Sequence, residues 1–318
     1  MSLVVKQTSL MMTVQDQGRF GFLRFGLPES GPMDPWAFCA ANRLVDNAPG
    51  RACLEMGYSK AVLLIEQDVL LAVCGTGYRA FLNGRQIPLW MAFWAQAGEQ
   101  LDLEKTDGGN WVYLSAAGGI QSTRWMGSRC VNLQAGLGRV AVEGDHIPLD
   151  TGIYQNRWRA GMSYPKGYQP NYASAVSIGV VPGPHVDRFT PESLANFWHQ
   201  PYQVTNRSNR MGYRLSGSRL TTQGGSDVIS QGMVIGQIQV PTDGQPIVMM
   251  PDHPTTGGYI SIGTVCRVDL PLIAQAQPEN TQIRFIKITE REAIEKLSIV
   301  YDTLEKIEKP QEDLWMNL

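Results

Sequence analysis

The sequence predicts a mostly β protein, with many short strands joined by tight turns, a few short helices and one longer helix near the C-terminus. Two observations carry that expectation. Glycine (33) and proline (19) are spread through the 318 residues rather than gathered in one linker. Between them lie short apolar runs, AVLLIE, VLLAVCG, WVYLSAAGG, AVSIGVVPG and QPIVMMP, with the length and composition of strands. Turn chemistry is the second observation. Asn83 and Gly84 in FLNGRQIPLW suit a two-residue hairpin turn, whose central residues both take positive φ. Asp243 and Gly244 in PTDGQPIV suggest another such turn.

Three segments read as helices. In MDPWAFCAANRLVDN, Asp34 can cap the first turn, Pro35 fits the first helical position, and Phe38, Ala41, Leu44 and Val45 share one face. Thr190 and Pro191 open TPESLANFWHQ in the same way. EREAIEKLSIVYDTLEKIEK is the one long amphipathic, charge-paired run, suited to surface packing or to a contact between protein chains. After Asp150 the sequence TGIYQNRWRAGMSYPKGYQPNY loses its apolar periodicity. The expected organisation is therefore an N-terminal β lobe over 1–150, a connecting segment or ordered insertion over 151–173, a C-terminal β lobe over 174–290, and a helix with a tail over 291–318.

Composition excludes several classes of function. Twenty-seven basic residues against 29 acidic ones give a net charge of −2, so no global field would gather nucleic acid. No apolar run is long enough to span a bilayer, and MSLVVKQTSLMMTVQD has no export-signal pattern, which places the expected site of action in the cytoplasm. Cys39, Cys53, Cys74, Cys130 and Cys266 are odd in number and widely spaced, the pattern of buried free thiols. His146, His185, His199 and His253 lack metal-ligand spacing, so no metal is expected and each reads as a surface or loop histidine. Phosphate-loop, dinucleotide and nucleophile-elbow motifs are all missing from the sequence. Nucleotide chemistry would need another construction or a separate partner chain.

Three polar, glycine-rich clusters remain. VQDQGRFGFLRFGLPESGPMD, Val14 to Asp34, has glycines frequent enough for close backbone approach to a ligand or a neighbouring chain. Gln15, Asp16 and Arg19 suit a local hydrogen-bonded knot, Arg19 is also a candidate ligand contact, and Asp34 is a candidate proton-handling group as well as a cap. NRSNRMGYRL, Asn206 to Leu215, packs three arginines and two asparagines into ten residues. Its donors suit a carboxylate or ureido group, with Arg210 as anchor and Asn209 beside it, or else pair with acidic residues of the fold. GQIQVPTDGQPIVMMPDHPTTGGYISIGT supplies Gln239, Gln245, Thr255, Thr256 and Tyr259 as a pocket rim. Amides around TTGG suit an anion, and Asp252 suits orienting or deprotonating a substrate nitrogen or water.

In this order and spacing, the three clusters resemble the allophanate hydrolase subunit 2 family, together with AANRLVDN, LEM, YLSAAGGI, MGSR and MMPDHPTTGGY. The resemblance covers roughly residues 5 to 290. That family includes the C-type component of bacterial 5-oxoprolinase, an antagonist of a sporulation-kinase inhibitor, and a segment of the carboxyltransferase part of urea carboxylase. It implies cyclophilin-like β-barrel lobes. It also implies a protein that works with A-type and B-type partners in ATP-dependent opening of 5-oxo-L-proline to L-glutamate, with ATP required by the complex. Two alternatives accompany it: a carboxyltransferase-like component acting on urea or a related amide, and a non-catalytic regulatory partner of a kinase inhibitor. No biotin-attachment sequence of the Met-Lys-Met type occurs in the chain.

Overall fold

The computed structural model describes residues 2–150, 156–304 and 306. These form two compact units. The first takes its described residues from Met1–Arg19, Ser30–Pro170 and Asp302 onward, and the second comprises Phe20–Glu29 and Asn171–Tyr301. The protein is mostly β, with four α-helices among the described residues.

In the first unit the order is β1 (Ser2–Gln7), β2 (Met11–Gln15), α1 (Pro35–Leu44), β3 (Cys53–Gly57), β4 (Ala61–Ile65), β5 (Val69–Gly75) and β6 (Tyr78–Leu82). Then follow β7 (Arg85–Ile87), β8 (Met91–Ala95), β9 (Gln100–Lys105), β10 (Trp111–Ala116) and β11 (His146–Pro148). One sheet has the order β11-β1-β4-β9-β6-β7 and the other β2-β3-β10-β5-β8. Leu3, Leu63 and Leu103 of the first sheet and Leu54, Val73 and Leu114 of the second belong to one buried apolar cluster. Alternation explains this in β9, where Leu101 and Leu103 point inward. β5, VLLAVCG, is buried along its whole length. α1 lies against β5 and β10, and buries Phe38, Ala41 and Leu44 as its periodicity dictates.

The Asn83-Gly84 turn links β6 to β7 with φ of 49° and 80°, as a two-residue hairpin requires. Asp243-Gly244 is different. Only Gly244 has positive φ, its N–H donates to Pro241 O at 2.9 Å, and the connection runs from Val240 to Ile247. Pro241 and Pro246 bracket it and withhold ladder donors, so the turn is longer than a two-residue hairpin.

Residues 156–170 pack as part of the first unit. Gly161 N donates to Ala92 O at 2.7 Å, Ala92 N to Met162 O at 2.8 Å and Tyr164 N to Trp90 O at 2.8 Å, so this stretch runs along β8. Residues 151–155 of the expected connecting segment lie outside the described residues.

The second unit contains β12 (Ala175–Pro182), α2 (Pro191–His199), β13 (Tyr202–Val204), β14 (Gly212–Ser216), β15 (Asp227–Gly232) and β16 (Gln237–Val240). β17 (Ile247–Met249), β18 (Thr256–Val265), α3 (Leu270–Ala274), β19 (Gln282–Lys287) and α4 (Glu290–Leu304), the last as far as Tyr301, complete it. Pairing runs β12-β19-β13-β14-β17-β16-β18, and β18 pairs back to β12, which closes a ring of seven strands. β15 lies outside the ring on the first half of β18. α2 is capped by Thr190, whose hydroxyl accepts from Ser193 N, and Phe197 stacks on Phe285 of β19 with ring centroids 4.7 Å apart. Lys296 of α4 reaches Asp269 at 2.6 Å, and the same carboxylate oxygen accepts from Gly179 N of β12. The part of the long C-terminal run beyond Leu304 falls almost wholly outside the described residues. No described helix is long and apolar enough to cross a membrane.

Candidate functional site

Two of the three clusters meet within the second unit. Asn209 to Gly212 form a tight turn leading into β14, in which Asn209 and Gly212 exchange backbone hydrogen bonds at 3.2 Å and the Asn209 side chain accepts from Met211 N at 2.8 Å. Segment 250–253 docks on this turn through Met250 N to Met211 O (3.1 Å) and Asp252 N to Arg210 O (2.9 Å). The side chains then close a two-point ion pair. Arg210 Nε donates to Asp252 Oδ2 at 2.7 Å and Nη2 to Oδ1 at 3.1 Å, with both residues 6% exposed. Expected as a ligand anchor and a proton-handling group, the two are instead each other's partner. The reason is elementary: a guanidinium or a carboxylate buried this deeply needs an opposite charge at hydrogen-bonding distance.

His253, expected at the surface, is 3% exposed. Its Nδ1 lies 2.7 Å from Pro254 O, which places the proton on Nδ1 and makes Nε2 the basic atom of the neutral ring. His185 has the opposite arrangement. Its Nδ1 accepts from Ser261 N of β18 at 3.1 Å, so its ring proton resides on Nε2. His185 carried no signal in the sequence, because a single histidine in a Pro-rich turn has no metal-ligand spacing.

The expected rim is partly realised. Gln239 is 5% exposed, and its side-chain amide lies 3.5 Å from Tyr259 O. It packs over Gly257, where a Cβ would come within 2.5 Å of Gln239 Nε2 and 2.4 Å of Met233 Sδ. Thr255 O accepts from Met233 N, Thr256 is exposed, and the Tyr259 ring is 40% exposed. The TTGG amides do not form an anion-binding turn. Thr256 to Gly258 open β18, and Thr256 and Gly257 pair with Gly232 and Gln231 of β15. Gln245 bonds both polar groups of Gly217, the N–H at 3.0 Å and the C=O at 3.3 Å, and so ties a loop rather than facing a ligand.

Asp34 and Arg19 belong to the first unit and are structural there. The Asp34 carboxylate, fully buried, accepts from Ala37 N at 3.0 Å as the cap of α1, and its own N–H donates to Tyr113 OH at 2.7 Å. Tyr113 OH in turn donates to Glu55 Oε2 at 2.7 Å, which also accepts from Met33 N at 2.8 Å. Burial, and then the nearby Glu55 and Asp34 carboxylates, push the Tyr113 phenol well above its ordinary range. The sequence signal for Glu55 was a carboxylate set in an apolar strand, LEM. Arg19 is 1% exposed, donates from Nη1 to Ser30 Oγ at 2.9 Å, and bonds Cys130 O through Nη2. It closes the base of the Phe20–Glu29 excursion. Asp16 makes the neighbouring knot, accepting from Gly18 N, Ser128 Oγ and Arg129 N.

The five cysteines are free thiols, all buried except the half-buried Cys39. Burial raises the Cys53 and Cys130 thiols to about 12, so neither is a nucleophile near neutral pH. The helix starts do not suit a nucleotide phosphate. Each is preceded by, or carries in its first turn, a carboxylate: Asp34 for α1, Glu192 for α2, Asp269 for α3, and Glu290 with Glu292 for α4. A phosphate at any of them would meet like charge.

Residues 25–287 match the family described as carboxyltransferase domain, subdomain A and B. The chain is 32% identical over 296 residues to the C-type component of 5-oxoprolinase from Escherichia coli, covering 92% of this chain and 93% of that protein. It is 29% identical over 307 residues to the corresponding 5-oxoprolinase component of Haemophilus influenzae, covering 93% and 95%. Among solved structures, urea carboxylase of Kluyveromyces lactis superposes with a TM-score of 0.87 at 27% identity. That match takes in 98% of this chain and 30% of the urea carboxylase chain.

Proposed function

The chain belongs to the carboxyltransferase-domain family of subdomains A and B, and on that premise we propose that it is the C-type component of an ATP-dependent 5-oxoprolinase. The observation that carries the reading is the match along nearly the whole chain to two bacterial C-type 5-oxoprolinase components, at 32% identity over 92% of it and 29% over 93%. Work in a complex with A-type and B-type partners is part of this proposal.

Opening 5-oxoproline adds water at the lactam carbonyl carbon, breaks the ring C–N bond and delivers a proton to the departing nitrogen. Beside the internally paired Arg210–Asp252 turn, His253 offers Nε2 as a proton acceptor, its ring orientation held by Pro254 O. ATP is required at the level of the complex, and the acidic helix starts of this chain do not fit its phosphates. Gln239 and Tyr259 complete the proposed binding rim beside β18.

The test is glutamate release from 5-oxoproline with ATP, using this chain with A-type and B-type partners and each omitted in turn. Turnover that requires this chain supports the proposal. Undiminished turnover without it, or none in a mixture that the Escherichia coli C-type component activates, overturns it. The 98% coverage of this chain by the urea carboxylase structure favours a second reading, a carboxyltransferase component acting on a urea-like amide. Avidin-sensitive, biotin-dependent turnover would select that reading.

A further inference from the structure

The first unit carries a cavity of about 540 Å³, within the size range of small-molecule sites. β7, the last strand of the six-stranded sheet, and β8, the last of the five-stranded one, both line it. Leu82, Ile87, Met91 and Phe93 make its wall apolar, while Arg85, Trp94 and Arg157 bring nitrogen donors.

Those polar groups are donors in excess. The Arg157 guanidinium lies 5.6 Å from the centre of the Trp94 ring and, among the described residues, has no carboxylate partner. Trp94 Nε1 is buried and, among the described residues, has no acceptor. The Trp94 backbone adds a third donor. Leu70 O accepts from Ala117 N on the other side of β5, so the Leu70–Trp94 pair is not hydrogen-bonded and the Trp94 N–H faces the open edge of β8. That edge is covered at Ala92 by Gly161 and Met162, and among the described residues the backbone ladder goes no further. Glu99, the carboxylate of the lining, is occupied by Gln96 N at 2.6 Å and lies 3.5 Å from Asn83 Nδ2.

We propose that this cavity binds a small organic carboxylate with an aromatic or alkyl body, the carboxylate on Arg157 and Trp94 and the body against the apolar wall. An apolar wall alone would accept a neutral ligand equally well. The unpartnered donors of Trp94 and Arg157 favour the anion. The site lies wholly in the first unit, whereas the Arg210–Asp252 turn lies in the second. The proposal is therefore independent of the oxoprolinase reading.

The test compares 3-phenylpropionate with 3-phenylpropan-1-ol, which shares the body and lacks the charge, by titration calorimetry and ligand-observed NMR on the full chain. The acid is expected to bind about tenfold or more tightly than the alcohol, the scale of one charge-assisted hydrogen bond. Arg157→Gln is expected to remove most of the acid's advantage over the alcohol. Trp94→Phe, which keeps the wall and removes the indole donor, is expected to weaken the acid by a smaller factor. Arg157 is exposed, so the variant is expected to retain the wild-type urea midpoint. Should it not fold, Arg157→Lys, which keeps the charge and loses the fork, is expected to give an intermediate affinity. Equal binding of acid and alcohol, no binding of either, or an acid affinity unchanged in Arg157→Gln would each overturn the proposal.

Discussion

Removing one partner of the Arg210–Asp252 pair is expected to cost far more than removing both. The two bonds, 2.7 and 3.1 Å, join groups that are 7% and 6% exposed at the side chain, so water screens them little. At an effective dielectric of about 20, two unit charges about 4 Å apart attract by about 4 kcal/mol. Arg210→Met leaves the Asp252 carboxylate buried without that partner, and Asp252→Leu removes the counter-charge of the buried guanidinium. Each single change is expected to lower stability by about 3–5 kcal/mol. The double variant leaves no stranded charge and is expected to recover at least about 2 kcal/mol of the summed single losses. Urea unfolding of the four proteins, followed by tryptophan fluorescence and circular dichroism, measures this. Losses below about 1 kcal/mol for both single variants, or strictly additive losses, would refute a mutually dependent buried pair.

Three further outcomes follow from the geometry. Asp34→Ala removes the buried cap of α1 and is expected to cost about 1–2 kcal/mol by chemical denaturation, with Asp34→Asn losing less because it keeps an acceptor. Gly77→Ala would place a Cβ 2.3 Å from Gly109 O at a φ of +76°, so both sterics and conformation oppose it, and a loss above about 2 kcal/mol is expected in the same assay. Cys53 and Cys130 hold their protons up to about 12 in the folded chain. Their contribution to stability is therefore complete below the ordinary thiol value near 9 and is lost as pH rises from about 9 towards 12. Urea midpoints should fall across that window, and at pH 8 a thiol reagent should label the half-buried Cys39 well before the other four.

Local features were legible in the sequence and distant pairings were not. The Asp34 cap, the Pro35 start and the Asn83-Gly84 hairpin each depend on neighbours a few residues away, and the structure contains all three. Arg210 and Asp252 both stood out, but as groups awaiting a ligand. No local pattern tells a buried arginine that its counter-ion lies 42 positions onward. Thr256 and Gly257 suggested an anion-binding turn because glycine permits one. Pairing with β15 drew them into a strand, where Gly257 instead makes room for Gln239 and Met233. Arg19 illustrates the same limit, since its partners Ser30 and Cys130 lie on separate stretches of chain. Contiguous lobe boundaries also missed that Phe20–Glu29 belongs with the second unit.

Ring closure in that second unit constrains how the chain must be born. β12 opens the unit and pairs in parallel with β19, from Ala175 opposite Gln282 to Val180 opposite Lys287, and its other edge pairs with β18. During synthesis β12 therefore leaves the ribosome with neither neighbour in existence, and gains both only when almost all of the unit has emerged. Contacts so distant in sequence make for slow folding, because the loop entropy is lost before the pairing repays it. Until then AVSIGVVP is an unpaired apolar strand with two open edges, the form most exposed to association with other nascent chains. Yield in a cell should accordingly depend on translation speed and chaperone supply through residues 175–287.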